Sequence, residues 1–407
     1  MKKIWDKWTR IALVKRILVG LILGAILGIA VPQATGIAIL GDVFVSALKA
    51  IAPLLVFFLV VSSLCNAGKS HGGVIKTVII LYMFSTVLAA VIAVFASMAF
   101  PVKMTLANAA TDTSAPQGIV EVLNNLLLNV VANPVSSLVN ANYVGILMWA
   151  VLLGLAFRAA DKMTKKVLAD VADGISMVVT WIINLAPFGI FGLVFNTVST
   201  NGLDIFTTYG KLLLLLVGCM LFIYFVTNPL LVYWCIRQNP YPLIFQCLKR
   251  SALTAFFTRS SAANIPVNMK VCEEMGLDRD TYSVTIPLGA TINMDGAAIT
   301  ITVMTMATAF TLGIHVDIPT AIILSLLAAL SACGASGVAG GSLLLIPMAC
   351  SLFGISDDIS MQVVAVGFII GVVQDSVETA LNSSSDLLLS ASAEFRQWRK
   401  EGREITY

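Results

Sequence analysis

Along the first 236 residues, long apolar runs alternate with short polar loops. Such runs predict α-helices, because lipid offers the backbone no hydrogen-bond partners and a helix satisfies its own. We expect spans at residues 12–32, 42–65, 73–101, 118–135 continued by 142–158, 166–199 and 209–236. The first part of the chain is therefore predicted to be a bundle of membrane helices.

After Pro240, clusters of Ser, Gly and Asn interrupt the apolar runs. The cluster at residues 334–342 lies between apolar arms at 321–330 and 343–349, and neither arm reaches the ~20 residues that a span needs. Two short arms around a small-residue tip predict a re-entrant hairpin, here at 319–353. Such a hairpin is tolerated only where protein or a wet cavity satisfies the backbone of the tip.

A second segment, residues 242–277, has the same form around Ser260 and Ser261. A further polar cluster, at residues 293–296, interrupts the apolar run between the two predicted hairpins. Paired interrupted segments are the sequence feature that best indicates the binding site of a transporter. We therefore predict an all-α polytopic membrane protein with eight transmembrane helices and two re-entrant helical hairpins.

The last apolar run, from about residue 361 to residue 393, contains a polar stripe. Asp375, Thr379, Asn382 and Asp386 are spaced so that they fall within roughly 60° of one another on a helix, with Glu378 at the edge. A charged side chain at mid-membrane costs about 2.5–3.5 kcal/mol, so the three acids cost roughly 7–10 kcal/mol unless something cationic meets them. The stripe is therefore a candidate functional site.

Composition supports a membrane protein, since 58% of the residues are hydrophobic and 12% are charged, against about 25% charged in soluble chains. The net charge of +3 is too small to indicate nucleic acid. The seven cysteines contain no CxxC pair, so we expect packing roles rather than disulfides or a metal site. The basic, Trp-containing start predicts a lead into a span rather than a cleaved signal.

Basic residues predict the orientation, because they concentrate in cytoplasmic loops. They precede the first and fifth spans, follow the second and sixth, and close the chain, whereas the loops at 32–41, 200–208 and 314–319 contain none. Both termini are therefore predicted to be cytoplasmic, with Lys103 a lone exception outside. The first hairpin then enters from the cytoplasm and the second from outside, which gives inverted repeats.

Acids outnumber cations at the predicted site. Between Arg279 and Arg396 the chain contains no Lys or Arg, and the one basic residue near a predicted hairpin tip is Arg259. The acids expected at membrane depth in that segment are Asp295, Asp375, Glu378 and Asp386. Either some of these acids are protonated, or mobile cations occupy the site.

Thr291, Asn293 and three consecutive serines at 383–385 surround these acids with oxygen atoms, which hard alkali cations prefer as ligands. Alternatively, each acid is protonated or faces water and only holds helices together, with Glu378 paired to Arg259. The chain has no glycine-rich phosphate loop with a Walker lysine, so ATP is not expected to drive it.

Four motifs resemble those of the glutamate-transporter family, which comprises sodium-coupled symporters of dicarboxylates and amino acids. They are Ser260-Ser261 before Pro266, residues 293–296 (NMDG), residues 334–342, and residues 375–386, and residues 185–191 (LAPFGIF) upstream are similar as well. The resemblance implies a homotrimer in the bacterial cytoplasmic (inner) membrane that works by an elevator mechanism.

The resemblance also implies a division of the chain. A rigid scaffold would comprise residues 1–66 and 118–199. A mobile transport unit would comprise residues 73–101 and 209–395, including both hairpins, and a cytoplasmic tail would follow at 396–407.

By position in the motifs, the resemblance assigns substrate contacts. Asp375 would hold the α-amino group of the substrate, and Asn382 would hold its α-carboxylate. The main chain at Ser261 and Val338 at the second hairpin tip would assist.

The resemblance further implies sodium sites. The first would use Asp386 with carbonyls of Gly289, Asn293 and Asn382. The second would use Asp295 and the side chain of Asn293 with Ser85 and Thr86, and Tyr82 is a further candidate. A third would lie between the main chain at Thr291 and carbonyls near Cys333 and Ala335.

Two departures from the family pattern indicate the substrate. Members that take acidic substrates carry Arg where Glu378 stands and Thr where Ala297 stands. An acidic substrate beside Glu378 would meet like-charge repulsion of several kcal/mol. We therefore expect a symporter that imports serine and threonine with sodium, the substrate hydroxyl meeting Glu378, Arg259 or Thr379.

Other functions remain open on the sequence alone. A carrier of other small neutral amino acids or of dicarboxylates, coupled to sodium or protons, would share the architecture, and a channel is a further alternative. An intramembrane aspartyl protease would need two acids that share a proton, but no GxGD-type motif accompanies Asp295 or Asp375. We expect a transporter rather than an enzyme.

Overall fold

The computed structural model describes residues 11, 13–66, 73–106, 128, 131–202, 204–335 and 340–405. This part of the chain is helical, without a strand among its elements. Six of its helical segments are long and apolar enough to cross a membrane, so the protein is a multi-pass membrane protein. Most of the predicted span at 118–135 lies outside the described residues.

The first half of the chain contains seven helices in the described ranges. They are α1 (Leu13–Ala30), α2 (Ile39–Asn66), α3 (Gly73–Ala99), α4 (Pro134–Val139), α5 (Tyr143–Ala156), α6 (Lys162–Asn184) and α7 (Ala186–Asn201). The uninterrupted span predicted at 166–199 is wrong, because the helix breaks between α6 and α7. Pro187 has no backbone N–H with which to continue the hydrogen-bond ladder there.

The second half has more and shorter helices. They are α8 (Asp204–Phe222), α9 (Asn228–Ile236), α10 (Tyr241–Cys247), α11 (Leu253–Thr258), α12 (Ser261–Glu274), α13 (Arg279–Ile292), α14 (Asp295–Thr311), α15 (Ile318–Ala332), α16 (Ile346–Ser351) and α17 (Asp357–Lys400). One-turn π-helical segments join α8 to α9 and α10 to α11, and a 3-10 turn (Gly341–Leu345) precedes α16.

The first predicted hairpin is a helix–break–helix unit. Arg259 ends α11 in the left-handed conformation with φ 53°, and Ser260 caps the start of α12. The two arms fold back on each other, since the Asn264 amide of α12 donates to the Ser251 hydroxyl at 3.0 Å. The break thus places Arg259 and the N-terminus of α12 at a tip.

The second predicted hairpin consists of α15 and the segment from Gly341 to Ser351. Its arms lie side by side, because the Ser331 hydroxyl contacts the Met348 sulfur at 3.4 Å. Residues 336–339 of its tip lie outside the described residues. Between the hairpins, the predicted interruption is present as the break between α13 and α14 at Asn293 and Met294.

The helices pack in two groups. In the first group α1 lies along α7, and α2 packs against α5, α6 and α7. The second group surrounds α14, whose residues from Asp295 to Ala309 are all buried against neighbours that include α3, α15 and α17. Across the boundary, Lys49 of α2 forms ion pairs with Asp357 and Asp358 at the start of α17, at 3.1 Å and 2.6 Å.

Candidate substrate and ion site

The polar stripe of α17 faces the protein interior. Asp375, Thr379, Asn382 and Asp386 each expose 6% of their surface or less, and Glu378 exposes 5%. The stripe contacts the tips of both hairpins and the break between α13 and α14. Its acids are therefore enclosed by protein rather than turned toward lipid.

Asp375 connects the two hairpin tips. Its Oδ2 accepts a hydrogen bond from Arg259 Nε at 2.6 Å, and its Oδ1 accepts one from the backbone N–H of Gly340 at 3.2 Å. The Arg259 and Asp375 side chains are only 10% and 5% exposed. Each charge needs the other, because a buried charge without a partner costs several kcal/mol.

Glu378 does not pair with Arg259, which Asp375 already engages, so that alternative from the sequence is wrong. The Glu378 Oε2 instead accepts hydrogen bonds from the Thr300 hydroxyl at 2.7 Å, the Ser342 hydroxyl at 2.9 Å and the Gln374 amide. These three donors are neutral, so they orient this carboxyl group and supply no opposite charge to it.

Asp386 lies beside the break between α13 and α14. The Asn293 Nδ2 donates to Asp386 Oδ1 at 2.9 Å and to the Ser385 hydroxyl at 2.8 Å. The Asn293 Oδ1 is buried and has no hydrogen-bond partner among the described residues. Gly289 leaves room here, since a Cβ at that position would lie 2.8 Å from Asp386 Oδ1. The cluster offers the oxygen ligands that hard cations take.

Asp295 forms a second cluster with α3. Its carboxylate accepts hydrogen bonds from the Ser85 hydroxyl at 2.8 Å and the Thr86 hydroxyl at 3.2 Å. The Asn293 amide hydrogens go to Asp386 and Ser385 rather than to Asp295. Its Oδ1 stays available for a cation, so the expected role of this side chain in the second ion site stays a prediction. The Tyr82 hydroxyl donates to the Asp386 carbonyl at 2.8 Å, so Tyr82 supports α17 rather than Asp295.

Asn382 is held in a defined orientation. Its Oδ1 accepts from the Gly296 backbone N–H at 2.7 Å, and its Nδ2 faces the Met294 sulfur at 3.4 Å. Sulfur is a weak acceptor, so Nδ2 keeps the capacity to donate to a carboxylate. Ala297, the next residue of α14, is fully buried, and Ser261 at the start of α12 is 4% exposed.

The expected third ion site lies where the second hairpin approaches α13. The Cys333 sulfur is 3.6 Å from the Ile292 carbonyl, at the unwound end of α13. The Thr291 hydroxyl donates its hydrogen to the Leu288 carbonyl of its own helix at 2.8 Å. The expected ligand at this position is the main chain. Val338 lies outside the described residues, and its role stays a prediction.

The acids of the site are kept apart. Asp375 bonds to Arg259, Asp295 to α3 and Asp386 to Asn293, and within the described ranges no two of these carboxylates share a hydrogen bond. Those ranges also contain no group of three or more His, Cys, Asp or Glu side chains placed to hold a metal ion. Among the described residues, the positions of these three carboxylates therefore do not form a pair that shares a proton.

Sequence reasoning missed the amides that attach the first hairpin to α17. Asn264 donates to the Ser383 hydroxyl and Asn268 to the Ser383 carbonyl, both at 2.8 Å. Their spacing of four residues on one arm of the hairpin was an available signal. The donors around Glu378 were missed too, namely Thr300, Ser342 and Gln374.

Comparison with known families fits this geometry. The model of the Sodium:dicarboxylate symporter family matches residues 13–394, which is nearly the whole chain. The chain belongs to this family. The resemblance seen in the motifs is thereby confirmed, and the family is one of symporters, so the protein is a transporter and not an enzyme.

Relatives within the Sodium:dicarboxylate symporter family are similar over almost their entire length. A serine/threonine transporter SstT from Bifidobacterium adolescentis is 58% identical over 98% of this chain and 93% of its own. Serine/threonine transporters SstT from two strains of Streptococcus thermophilus are 55% and 56% identical over 98% of this chain and 100% of their own. Although the family takes its name from dicarboxylates, these relatives are named for neutral hydroxy amino acids.

Proposed function

We propose that this protein imports serine and threonine together with sodium by alternating access. The observation that carries the proposal is a buried site where Asp375 and Arg259 meet between two hairpin tips. Beside it lie Glu378 and Asp386, which form no ion pair with any described residue. The names of the relatives supply the substrate class, and the family supplies the coupling ion.

The α-ammonium and α-carboxylate of a substrate fit the charges and donors at this site. The ammonium group would bind Asp375, where it competes with Arg259 for the carboxylate. The α-carboxylate would accept from Asn382 Nδ2 and from the N-terminus of α12 at Ser261, because the first N–H groups of a helix point at anions. Val338 would close the site from the other hairpin.

The substrate side chain would lie toward Glu378, Thr379 and Ala297. Among the described residues only neutral groups contact the Glu378 carboxyl group, so no cation there would attract the second carboxylate of aspartate or glutamate. A hydroxymethyl group carries no charge and can donate to a carboxylate. The same residue thus favours serine and threonine and rejects dicarboxylates.

Sodium would bind at the two oxygen clusters. The first ion would use Asp386 with the carbonyls of Gly289, Asn293 and Asn382, and the partnerless Asn293 Oδ1 is an additional oxygen ligand. The second ion would use Asp295 with Ser85 and Thr86, whose hydroxyls turn their lone pairs inward when the cation replaces their hydrogen bonds. A third would use the main chain at Thr291 and near Cys333 and Ala335.

Coupling follows from charge and from linkage. Sodium that neutralises Asp386 and Asp295 raises the affinity for the amino acid, and the amino acid raises the affinity for sodium by the same factor. Each net positive charge that moves inward gains about 2.3 kcal/mol per 100 mV of membrane potential. At about 1.4 kcal/mol per decade, that is roughly fortyfold in concentration.

The architecture that suits this cycle has eight spans and two inverted hairpins, with both termini in the cytoplasm of a bacterial cell. The helix group around α14 would be the mobile unit, and the group of α1, α2 and α5 to α7 would be the scaffold. Three copies would assemble through their scaffolds in the inner membrane.

Labelled serine uptake into proteoliposomes tests the proposal. We expect saturable uptake that requires a sodium gradient, stops when potassium or choline replaces sodium, and is inhibited by threonine but not by aspartate. Uptake that is unchanged in choline and follows a pH gradient would assign a proton-coupled carrier instead. Flux without saturation or exchange would assign a channel.

A further inference from the structure

An apolar groove lies on the protein surface between α3 and α8. Its volume is about 840 Å³, and its lining includes Phe95, Phe100, Lys211, Leu214, Gly218 and Phe222. Four of these side chains are open to the surroundings, with Phe95 at 56%, Phe100 at 69%, Leu214 at 74% and Phe222 at 47% exposure. None of the residues proposed to bind substrate or sodium lines the groove.

The groove has the length of one membrane leaflet. Its lining on α8 runs from Lys211 to Phe222, eleven residues or about 16 Å at 1.5 Å per residue. Half of a hydrocarbon core of about 30 Å is nearly the same distance. An acyl chain that enters beside Lys211 can therefore follow the groove to its inner end.

The groove also has a charged end. Among the described residues that line it, Lys211 is the one with a charge, and it forms no hydrogen bond or ion pair with the described part of the chain. The end of α3, with Pro101 and Val102, lines the same groove. Because α3 ends and α8 begins on the predicted outer side, Lys211 lies toward the outer headgroups.

We propose that this groove binds one anionic phospholipid of the outer leaflet, with its headgroup at Lys211 and its acyl chains along Phe95, Leu214 and Phe222. An unpaired lysine attracts a headgroup whose net charge is negative, whereas a zwitterionic headgroup brings its own ammonium group. A basic residue near the membrane surface contributes about 1 kcal/mol toward anionic lipid. That energy corresponds to roughly a fivefold preference.

Native mass spectrometry of the full-length protein tests the site, with phosphatidylglycerol and phosphatidylcholine titrated separately. We expect one phosphatidylglycerol to bind about fivefold more tightly than phosphatidylcholine. Lys211→Gln should abolish that preference, whereas the matched charge loss Lys162→Gln, on α6, should keep it. Equal lipid binding by the two lysine variants would overturn the proposal.

A second pair of variants tests the acyl chains. A Cβ at Gly218 meets no atom within 4 Å, so Gly218→Leu can direct a side chain into the groove, and we expect it to lose both lipids. Gly210 on the same helix also has open space but does not line the groove, so Gly210→Leu should bind lipid normally.

Three results would overturn the proposal through this second pair. Equal lipid counts in the two glycine variants would leave the groove without a lipid. A changed subunit number in Gly218→Leu would assign the groove to a second copy of the chain. Faster hydrogen exchange in residues 107–127 of that variant would assign it to this segment of the same chain.

Discussion

At the scale of single residues, we predict that amino-acid binding depends on Asp375. We expect Asp375→Ala to abolish serine binding while sodium binding persists, because the ammonium group loses its carboxylate and the Asp386 cluster is untouched. Calorimetric titration with serine and with sodium measures both. Asp358→Asn, at an exposed acid of the same helix, is the control. Serine affinity that survives in Asp375→Ala would contradict the role.

Asp386 should govern the response to sodium. Asp386→Asn replaces a negative ligand with a neutral one, so we expect the sodium concentration for half-maximal uptake to rise by at least about tenfold, which is 1.4 kcal/mol. Serine affinity at saturating sodium should change less. Unchanged sodium activation would remove Asp386 from the ion site.

Glu378 should determine which charge the side chain of a transported substrate can carry. We expect Glu378→Arg together with Ala297→Thr to gain aspartate uptake, since an arginine attracts the second carboxylate that Glu378 repels. The surrounding hydroxyls of Thr300 and Ser342 can accept as well as donate, so they tolerate the reversal. Competition of aspartate against labelled serine measures the change. A folded double variant that ignores aspartate would refute this account of selectivity.

The sequence was sufficient to predict which residues of α17 share a face, because helical spacing fixes that. It could not decide the partner of Arg259, since Asp375 and Glu378 are three residues apart and both were within reach. The choice depends on how the first hairpin lies against α17, which is set by packing and by the amides of Asn264 and Asn268.

At the scale of elements, the close approach of α13 to α17 should be essential to the ion site. In Gly289→Ala the new methyl group would lie 2.8 Å from Asp386 Oδ1 and 2.9 Å from the Tyr82 hydroxyl, so we expect a severalfold loss of sodium affinity. Gly371→Ala changes a glycine of α17 that meets no atom within 4 Å, and it should behave as the natural protein. If the sodium activation curves of the two variants coincide, Gly289 does not have this packing role.

The interrupted elements were predictable because arms too short to span a membrane leave few other structures. The breaks at Arg259 and Asn293 are where polar clusters indicated them. The break before α7 was missed, although Pro187 signalled it, because apolar residues continue on both sides. The π-helical turns after α8 and α10 have no comparable sequence signal.

At the scale of the whole molecule, the ion pairs of Lys49 connect the two helix groups. Lys49 lies ten residues into α2, about 15 Å from its start, yet it meets the first residues of α17. Under the proposed orientation, the start of α17 therefore lies closer to the cytoplasm than the start of α2. If the group around α14 moves during transport, these ion pairs must break.

We therefore expect Lys49→Gln to change the rate of uptake without changing serine affinity. The Lys49 and Asp358 side chains are 39% and 87% exposed, so the pair contributes about 0.2–1 kcal/mol. Its loss therefore changes the equilibrium between the paired and unpaired positions of the group around α14 by at most about fivefold. Initial rates at saturating serine measure it, and Lys49→Glu with Asp358→Lys should restore the natural rate. A rate no different from that of Lys162→Gln would show that the pair carries no such function.

The sequence could not predict how the two helix groups stand against each other. Hydrophobic periodicity identifies the face that each helix buries, but it does not identify the partner. The boundary depends on a few contacts between residues far apart in the chain, such as those of Lys49 and Asp357.

The single unbroken rod of α17 keeps Asp375 and Asp386 a constant distance apart, eleven residues or about 16 Å along the axis. Under the proposed function, the substrate site and the sodium site are thus separate regions of one rigid helix. Substitutions near Glu378, natural or engineered, can therefore change substrate selectivity and leave the sodium site intact. A transporter family with such a helix can change its substrate while it keeps the same coupling ion.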